Sequence, residues 1–367
     1  MKNLFESTCP DGLELKNRFI RSATWEGIAE ENGTINDTVM SLYENLAKGG
    51  SAAIITGYAF VTEDEQPNPK MFGIYNDSFI ESYKPLTEMV HKNGSKIILQ
   101  IVYGGSFTWH DVGKRTIWGP SAVENKISGI TPIEMTSENI KTLTEAFGDA
   151  AKRAMAAGFD GVEMHAGHGY LLNQFLSPFF NRRTDAYGGS SENRAKIIYD
   201  IYDTIKTSTS ADFPVMIKLN CSDFMGEKGF VFEECKTLCK GLAKKGITAV
   251  EISGGPVFRP PKTEKEPTLQ VELNEKDSYF SEYAKEIAKE IDCPVILVGG
   301  NRSVDTMERL LTETDIEYFS FSRPLLSEPD LINKWEADKT AKPRCTSCSK
   351  CFGDDRNICI LDREKQK

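Results

Sequence analysis

The sequence lacks the features that mark several classes of partner. It has no long run of lysine and arginine, and its formal net charge is -10, which argues against binding to nucleic acid or to an anionic membrane. No stretch approaches the roughly 18 consecutive apolar residues of a membrane span. The opening segment contains no apolar run of signal-peptide type. We therefore expect a cytoplasmic protein that acts on small molecules.

Repeats and nucleotide-binding motifs are also missing. No internal repeat or low-complexity tract is present, and no G-x-G-x-x-G follows a predicted strand. Because that motif normally opens a dinucleotide-binding βαβ unit, we expect no separate nucleotide-binding domain.

Cysteine is sparse over most of the chain. Five of the nine are scattered, which is typical of small buried apolar side chains. The other four fall within fifteen positions, with the spacing C-x2-C-x2-C-x7-C: Cys345, Cys348, Cys351 and Cys359. In a cytosolic protein such clustering favours metal over disulfides. Four thiolates can hold an iron–sulfur cluster or zinc; the remaining alternative is a polar tail without metal.

Short apolar runs alternate with longer helical patterns along most of the sequence. Parallel sheets buried on both faces produce such near-continuous apolar strands, and eight is a number that closes a barrel. The pattern therefore predicts an α/β protein with a single (β/α)8 TIM barrel, its strands near 17–23, 52–57, 96–102, 161–165, 214–220, 249–253, 294–300 and 318–322.

Helix ends are readable in three of the segments between strands. Residues 37–48 begin at Asp37, a predicted N-cap, and stop before two glycines. An amphipathic pattern covers 137–157, and the helix predicted over 231–245 ends at Gly246.

Two long segments interrupt the alternation, 104–134 after the third strand and 256–277 after the sixth. Both follow the C-terminal ends of strands, where barrel enzymes place their active sites. We assign the barrel to residues 1–337 and a Cys-rich C-terminal extension to 338–367.

The segment most suggestive of chemistry follows the fourth strand. His165, His168 and Tyr170 lie within six positions at its C-terminal end. Two imidazoles can donate hydrogen bonds to an oxygen that gains negative charge, and a phenol can deliver a proton. On spacing alone, metal-binding or structural histidines remain the alternative.

The same segment, residues 161–194, resembles the Old Yellow Enzyme family of flavin-dependent ene reductases. Both H-x-x-H-G-Y-L-L-x-Q-F-L-S-P and N-x-R-T-D-x-Y-G-G-S-x-E-N-R are present, and the resemblance runs over about residues 2–337. It implies a barrel with bound FMN that is reduced by NADH or NADPH.

The resemblance also implies roles for individual residues. His165 and His168 match the pair that holds the substrate carbonyl oxygen, and Tyr170 matches the proton donor to the α-carbon. Three further matches concern the flavin. Gln100 matches the glutamine that hydrogen-bonds its pyrimidine edge, Gly57 matches the small residue behind it, and Lys218 occupies the place of a cation beside N1 and O2. The family often has arginine at the place of Lys218. Lysine offers a point charge there, whereas arginine would offer a planar fork.

The phosphate end of the flavin is expected at the last two strands. Gly300 and Asn301 close the seventh, and Ser322 and Arg323 close the eighth. Barrels commonly bind phosphate in these two turns, and Arg323 can add a charge-assisted bond. Tight turns with a solvated arginine are the alternative.

The end of the first strand departs from the family pattern. A Thr or Cys near the flavin C4a–N5–O4 region is expected there, and counting along Ala23, Thr24 and Trp25 puts the tryptophan at that place. Either Thr24 serves after a shift of one residue, or a large ring occupies the position.

These observations predict an FMN-dependent reductase of C=C bonds in α,β-unsaturated carbonyl compounds, with NAD(P)H as electron donor. The alternative is a flavin or iron–sulfur electron carrier that serves a protein partner, motivated by the cysteine tail, because related dienoyl-CoA and enoate reductases carry a [4Fe–4S] loop there. A homo-oligomer and an electron-donor protein are further candidate partners. The substrate, and the choice between NADH and NADPH, are left open by the sequence.

Overall fold

The computed structural model describes residues 2–255, 276–353 and 356–363. Within them a closed barrel of parallel strands is formed by β1 (Phe19–Arg21), β2 (Ala53–Ile55), β3 (Lys96–Val102), β4 (Gly161–Ala166), β5 (Val215–Asn220), β6 (Ala249–Ser253), β7 (Val295–Val298) and β8 (Ile316–Phe321). Neighbours pair in chain order, and β1 pairs with β8 to close the ring. The predicted (β/α)8 barrel is confirmed, and each strand overlaps its predicted run.

The helices of the described residues surround this barrel. They are α1 (Asp37–Lys48), α2 (Ser78–Lys92), α3 (Ser137–Ala156), α4 (Leu171–Leu176), α5 (Ser191–Ser208), α6 (Phe232–Lys245), α7 (Ser281–Ala288), α8 (Val304–Glu313), α9 (Arg323–Ser327), α10 (Leu331–Ala337) and α11 (Ile360–Arg363). None of these helices combines the length and apolar character that crossing a bilayer requires.

Helix ends follow the predictions with one correction. The N-cap of α1 is Asn36 and not Asp37, because the Asn36 side chain accepts hydrogen bonds from the backbone of Thr38 and Val39. Gly246 ends α6 in the left-handed conformation, with φ of 86°, which a residue without Cβ adopts at little cost.

The core has two layers. An outer layer lies between the strands and the helices. An inner layer fills the lower half of the barrel with alternate strand residues, capped by the N-terminal segment: Leu13, Leu15, Ile20, Ala52, Ala53, Ile55, Ile98, Met216, Ala249, Ile296 and Tyr318. Because successive side chains of a strand alternate in direction, the next inward positions along β3, β5 and β6 are Gln100, Lys218 and Glu251. Polar groups therefore occupy the barrel above its apolar floor.

The long loop after β3 lies where the sequence places it, although its interior was not predicted. Residues 104–134 contain a short parallel pair, Trp118–Gly119 with Ile133–Glu134. Two further strands were not predicted: Ala59–Phe60 pairs with β3, and Phe72–Gly73 pairs with Ala59–Phe60. The loop after β6 falls mainly in 256–275, outside the described residues.

The Cys-rich extension packs against the barrel. The side chain of Asn357 donates to the carbonyl oxygen of Trp25 at 2.6 Å, and its backbone N–H donates to that of Glu26 at 2.9 Å. Arg302 and Arg323 donate to the hydroxyls of Ser347 and Ser349. The extension thus contacts both the segment after β1 and the turns after β7 and β8.

Candidate active site

The turn after β4 carries the predicted catalytic group. His168 has a left-handed backbone with φ of 57°, which is uncommon for a residue with a Cβ. Asn220 accepts from the backbone N–H of His168 at 3.1 Å, and Asn173 accepts from that of Gly169 at 2.8 Å. Tyr170 then precedes α4 directly. Strain of this kind persists where surrounding contacts enforce it, and it is frequent at active sites.

The three predicted side chains converge. Their ring centroids are 5.2 Å apart for His165 and His168, and 4.9 Å apart for His165 and Tyr170. The Nε2 atom of His168 lies 2.8 Å from the Ser253 hydroxyl. In contrast, Nδ1 of His165 is buried without a hydrogen-bond partner among the described residues. Since buried polar atoms are nearly always paired, a ligand oxygen is the natural partner for this nitrogen.

Both imidazoles are neutral at physiological pH. Burial, and next the nearby imidazole of His168, hold the pKa of His165 well below its usual value of 6.5. Burial and the Lys218 ammonium lower the pKa of His168 to about 3. A neutral imidazole has one N–H donor, so the pair can donate hydrogen bonds to a developing oxyanion without carrying charge in the resting site.

A buried ion pair lies inside the barrel beneath the histidines. Nζ of Lys218 is 3.2 Å from Glu251 Oε2, and it donates to the Ser22 hydroxyl at 2.7 Å. The other Glu251 oxygen accepts from Ser22 at 2.8 Å and from Ser320 at 2.6 Å. Burial raises the pKa of Glu251, but Lys218 and these hydrogen bonds bring it below its usual value. The predicted cation is therefore already balanced by a carboxylate.

A second carboxyl group, Glu163, holds the predicted flavin-binding amide. Gln100 donates from Nε2 to Glu163 Oε1 at 2.6 Å, which leaves the amide oxygen of Gln100 for another partner. Burial, and then the charge of Glu251, raise the pKa of Glu163 well above its usual value. A protonated Glu163 can donate a hydrogen bond to Glu251, which gives Glu163 Oε2 and Glu251 Oε2 the hydrogen-bond partner that they otherwise lack among the described residues.

Sequence analysis missed Glu163 and Glu251, although a signal was present. Each interrupts an apolar β-strand run, in G-V-E-M-H and A-V-E-I-S. A carboxyl group in a fully buried strand is expensive unless it is paired or protonated, and local rules of this kind are broken mainly at functional sites.

The turns after β7 and β8 enclose a cavity of about 70 Å³. The four residues predicted at the phosphate end all line it: Gly300, Asn301, Ser322 and Arg323. The Asn301 side chain, however, is used within the turn: its amide donates to the carbonyls of Leu297 and Ser320. Only its backbone is left for a ligand. The cavity exceeds the space that one water needs, and its glycine turn and arginine suit an anion such as phosphate.

The structure separates Thr24 from Trp25. The Thr24 hydroxyl lies 2.8 Å from that of Ser322, next to the phosphate-end cavity. Trp25 donates to the carbonyl of Pro69 at 3.0 Å and packs on the cluster that contains Tyr170. Ala23 packs on the inner layer of the barrel.

Gly57 has a structural reason to be glycine. A Cβ at this position would lie 2.8 Å from the Thr24 carbonyl oxygen and 2.9 Å from Glu26 Oε2. Glu26 itself is buried and paired with Arg21 at 3.0 Å. The atoms that exclude a side chain at Gly57 therefore belong to the protein itself. This holds whether or not a cofactor lies beside Gly57.

The four clustered cysteines do not assemble into a metal site in this structure. Across residues 2–255, 276–353 and 356–363, no group of three or more Cys, His, Asp or Glu is arranged to hold an ion. Cys359 instead accepts a hydrogen bond from Ser327 at 3.3 Å, while Cys345 and Cys351 lie near the positive charge of Arg323. As placed, these thiols do not fit a cluster, and metal binding stays a prediction.

Comparison with known proteins identifies related chains. The model of the NADH:flavin oxidoreductase / NADH oxidase family matches residues 4–341. A cinnamate reductase of Clostridium sporogenes is 31% identical over 377 residues, covering 95% of this chain and 55% of the relative. An NADPH dehydrogenase of Clostridium acetobutylicum is 31% identical over 329 residues, covering 90% of this chain and 93% of the relative.

Among solved structures, a 2-naphthoyl-CoA reductase complex superposes with a TM-score of 0.86 at 25% identity, covering 95% of this chain and 54% of the other. The chain therefore spans about half the length of several proteins that it matches, and nearly the full length of the NADPH dehydrogenase.

Proposed function

We propose that this chain, which belongs to the NADH:flavin oxidoreductase / NADH oxidase family, is an FMN-dependent reductase of C=C bonds conjugated to a carbonyl group. Its membership of that family bears out the resemblance to the Old Yellow Enzymes. NADH or NADPH is the proposed electron donor. The observation that carries the proposal is the convergence of two neutral imidazoles and a phenol, with one imidazole nitrogen buried and unpartnered.

The protein residues would bind and polarise the substrate. His165 and His168 would hold its carbonyl oxygen, and a donor aimed at a developing oxyanion is worth roughly 2.7–4 kcal/mol at the transition state. Tyr170 would protonate the α-carbon, and general acid catalysis typically contributes 10²–10⁴-fold. Flavin, when bound, would supply the hydride for the β-carbon.

Several protein groups fit a flavin. Gln100 keeps an amide oxygen for the pyrimidine edge, Lys218 places a cation in the same layer, and the cavity at Gly300 and Arg323 suits a terminal phosphate. For N5, Thr24 and Trp25 both remain candidates, on opposite sides of the strand end.

A row of aromatic rings supports a flat, apolar substrate. The Phe107 ring centroid lies 5.4 Å from that of Tyr170, and the Trp109 centroid lies 4.5 Å from that of Phe107. Trp109 is 46% exposed, so the row connects the catalytic phenol with solvent. Cinnamate and 2-naphthoyl-CoA, named for two of the similar proteins, are both conjugated aryl compounds.

The electron-carrier alternative depends on the cysteine tail. Because its thiols do not come together as a metal site in the described residues, we propose the reductase alone.

The proposal is tested by identifying the cofactor and the reaction. Protein expressed with added flavin and then denatured should release FMN, detected by chromatography against FMN and FAD standards. The holoprotein should then oxidise NADH or NADPH with aryl enones, enals or thioesters. Release of FAD, release of no flavin, or no turnover over such a panel would contradict the proposal.

A further inference from the structure

The Tyr170 hydroxyl belongs to a buried group of three polar side chains. It donates a hydrogen bond to the Tyr58 hydroxyl at 3.0 Å. The Asn68 amide donates to Tyr58 at 2.9 Å and reaches Tyr170 at 3.5 Å. All three residues are buried. A phenol oxygen both donates and accepts, so the contact between the two tyrosines can reverse.

We propose that Tyr58 is a positioning residue for proton transfer from Tyr170, with Asn68 as its support. The proposal rests on the proposed function, in which Tyr170 protonates the substrate. When the Tyr58 hydroxyl becomes the donor, the proton of Tyr170 is free to point at the substrate carbon.

Proton transfer from Tyr170 conserves atoms and electrons. The O–H bond of Tyr170 breaks and its electron pair stays on the Tyr170 oxygen, while an electron pair of the substrate enolate forms the new C–H bond at the α-carbon. Tyr58 O–H and Asn68 N–H then both donate to this tyrosinate, and a proton from solvent later restores the phenol. The hydride for the β-carbon comes from the nicotinamide donor by way of flavin.

The electrostatics assign the two phenols different roles. Burial raises the pKa of Tyr170 to about 12, while its hydrogen bonds with Tyr58 and Asn68 act to lower it. Burial, and next the neighbouring Tyr170, raise the pKa of Tyr58 well above 10. Tyr170 is therefore the phenol that gives up its proton first, and Tyr58 stays protonated and available as a donor.

The location of Tyr58 also favours a role in the site. Its ring is roughly parallel to that of His165, with centroids 6.1 Å apart, and packs edge-on against Tyr170 at 5.3 Å. It follows Gly57 directly after β2, so one short segment fixes the phenol against both the proposed oxyanion-binding imidazole and the proposed acid.

The experiment compares Tyr58→Phe, Tyr170→Phe and the double variant as flavin-loaded enzymes in stopped-flow, with an aryl enone as oxidant. For Tyr58→Phe, oxidation of the reduced enzyme should slow about 10²-fold, as on loss of one oxyanion donor. Reduction by NAD(P)H and the enone dissociation constant should be unchanged. Tyr75→Phe is the matched control, because Tyr75 packs on the apolar cluster that contains Tyr58 and Tyr170 by stacking on Phe60. The enone should oxidise this reduced variant at the wild-type rate.

The double variant distinguishes action through Tyr170 from a general structural effect. If Tyr58 acts through Tyr170, the double variant should be no slower than Tyr170→Phe, because coupled residues are not additive. The inference would be overturned if the double variant were slowed by the product of the two single effects, or if Tyr58→Phe were oxidised as fast as the wild type. Either result would leave the proposed function standing. Asn68→Ala should slow the same step about 10-fold, and an unchanged rate there would likewise count against it. A wild-type enzyme that no enone oxidises would overturn both proposals.

Discussion

Replacing Lys218 by methionine should destabilise the protein strongly at neutral pH. Lys218 and Glu251 are 3% and 0% exposed, and their charged atoms are 3.2 Å apart. Methionine fills a similar volume but leaves the Glu251 carboxylate buried without its cation. Breaking a buried pair by removing one partner typically costs about 3–5 kcal/mol. We expect a loss of that size in the free energy of unfolding at pH 7.

The pH dependence of this loss has a definite sign. In the wild type the pKa of Glu251 is lowered, so its contribution to stability is present above the unfolded-state pKa and disappears as the pH falls through the folded-state pKa. In Lys218→Met the cation is lost, and burial, opposed only by the remaining hydrogen bonds, raises that pKa. The folded variant then takes up a proton as the pH falls, and the gap to wild type should narrow between pH 8 and pH 5.

Urea unfolding followed by circular dichroism at several pH values measures the effect. The double variant Lys218→Met/Glu251→Gln is the matched control, because it also lacks the cation but has no carboxylate to strand, and it should regain most of the loss. The reasoning would be refuted by a Lys218→Met protein as stable as wild type, by a deficit that does not change with pH, or by a double variant no more stable than the single one.

Three further predictions concern the site and the extension. Replacing both His165 and His168 by alanine should slow enone reduction at least 10²-fold but preserve flavin reduction by NAD(P)H, and rapid-mixing measurements of the two half-reactions check this. Trp109→Ala should raise KM for aryl enones several-fold and leave that for small aliphatic enones nearly unchanged; equal effects on both would contradict the aromatic path. Replacing Cys348 and Cys351 by serine should expose the extension to limited proteolysis if the thiols bind metal. Anaerobically purified protein should then contain about four irons or one zinc per chain, and metal-free protein with freely alkylated thiols would remove that prediction.

The barrel was predictable because each strand carries its own signal. The run K-I-I-L-Q-I-V is buried on both faces, and its predicted bounds, 96–102, coincide with those of β3. The short strands Ala59–Phe60 and Phe72–Gly73 escaped prediction because two residues carry no periodicity. Asp37 was predicted as the N-cap, but the cap is Asn36; both residue types cap helices well, so only the backbone geometry distinguishes them.

The partners of the site residues were less predictable. A motif located the two histidines and Tyr170, yet the hydroxyl that Tyr170 contacts belongs to Tyr58, more than 100 positions earlier. Similarly, the family resemblance implied a place for Lys218 beside a flavin but gave no sign of its partner, Glu251 on the neighbouring strand. Such pairings depend on strand register and barrel closure, which no local pattern encodes.

Barrel closure also has a consequence for synthesis. Phe19 of β1 lies opposite Phe319 of β8, so these two strands are separated by about 300 residues of chain. At roughly 5–20 residues per second, the ribosome makes β8 about 15–60 s after β1. During that interval one edge of β1 has no native partner, and exposed strand edges promote aggregation. That edge therefore stays open to non-native pairing until the seam between β1 and β8 closes, after which Asn357 can bind beside it.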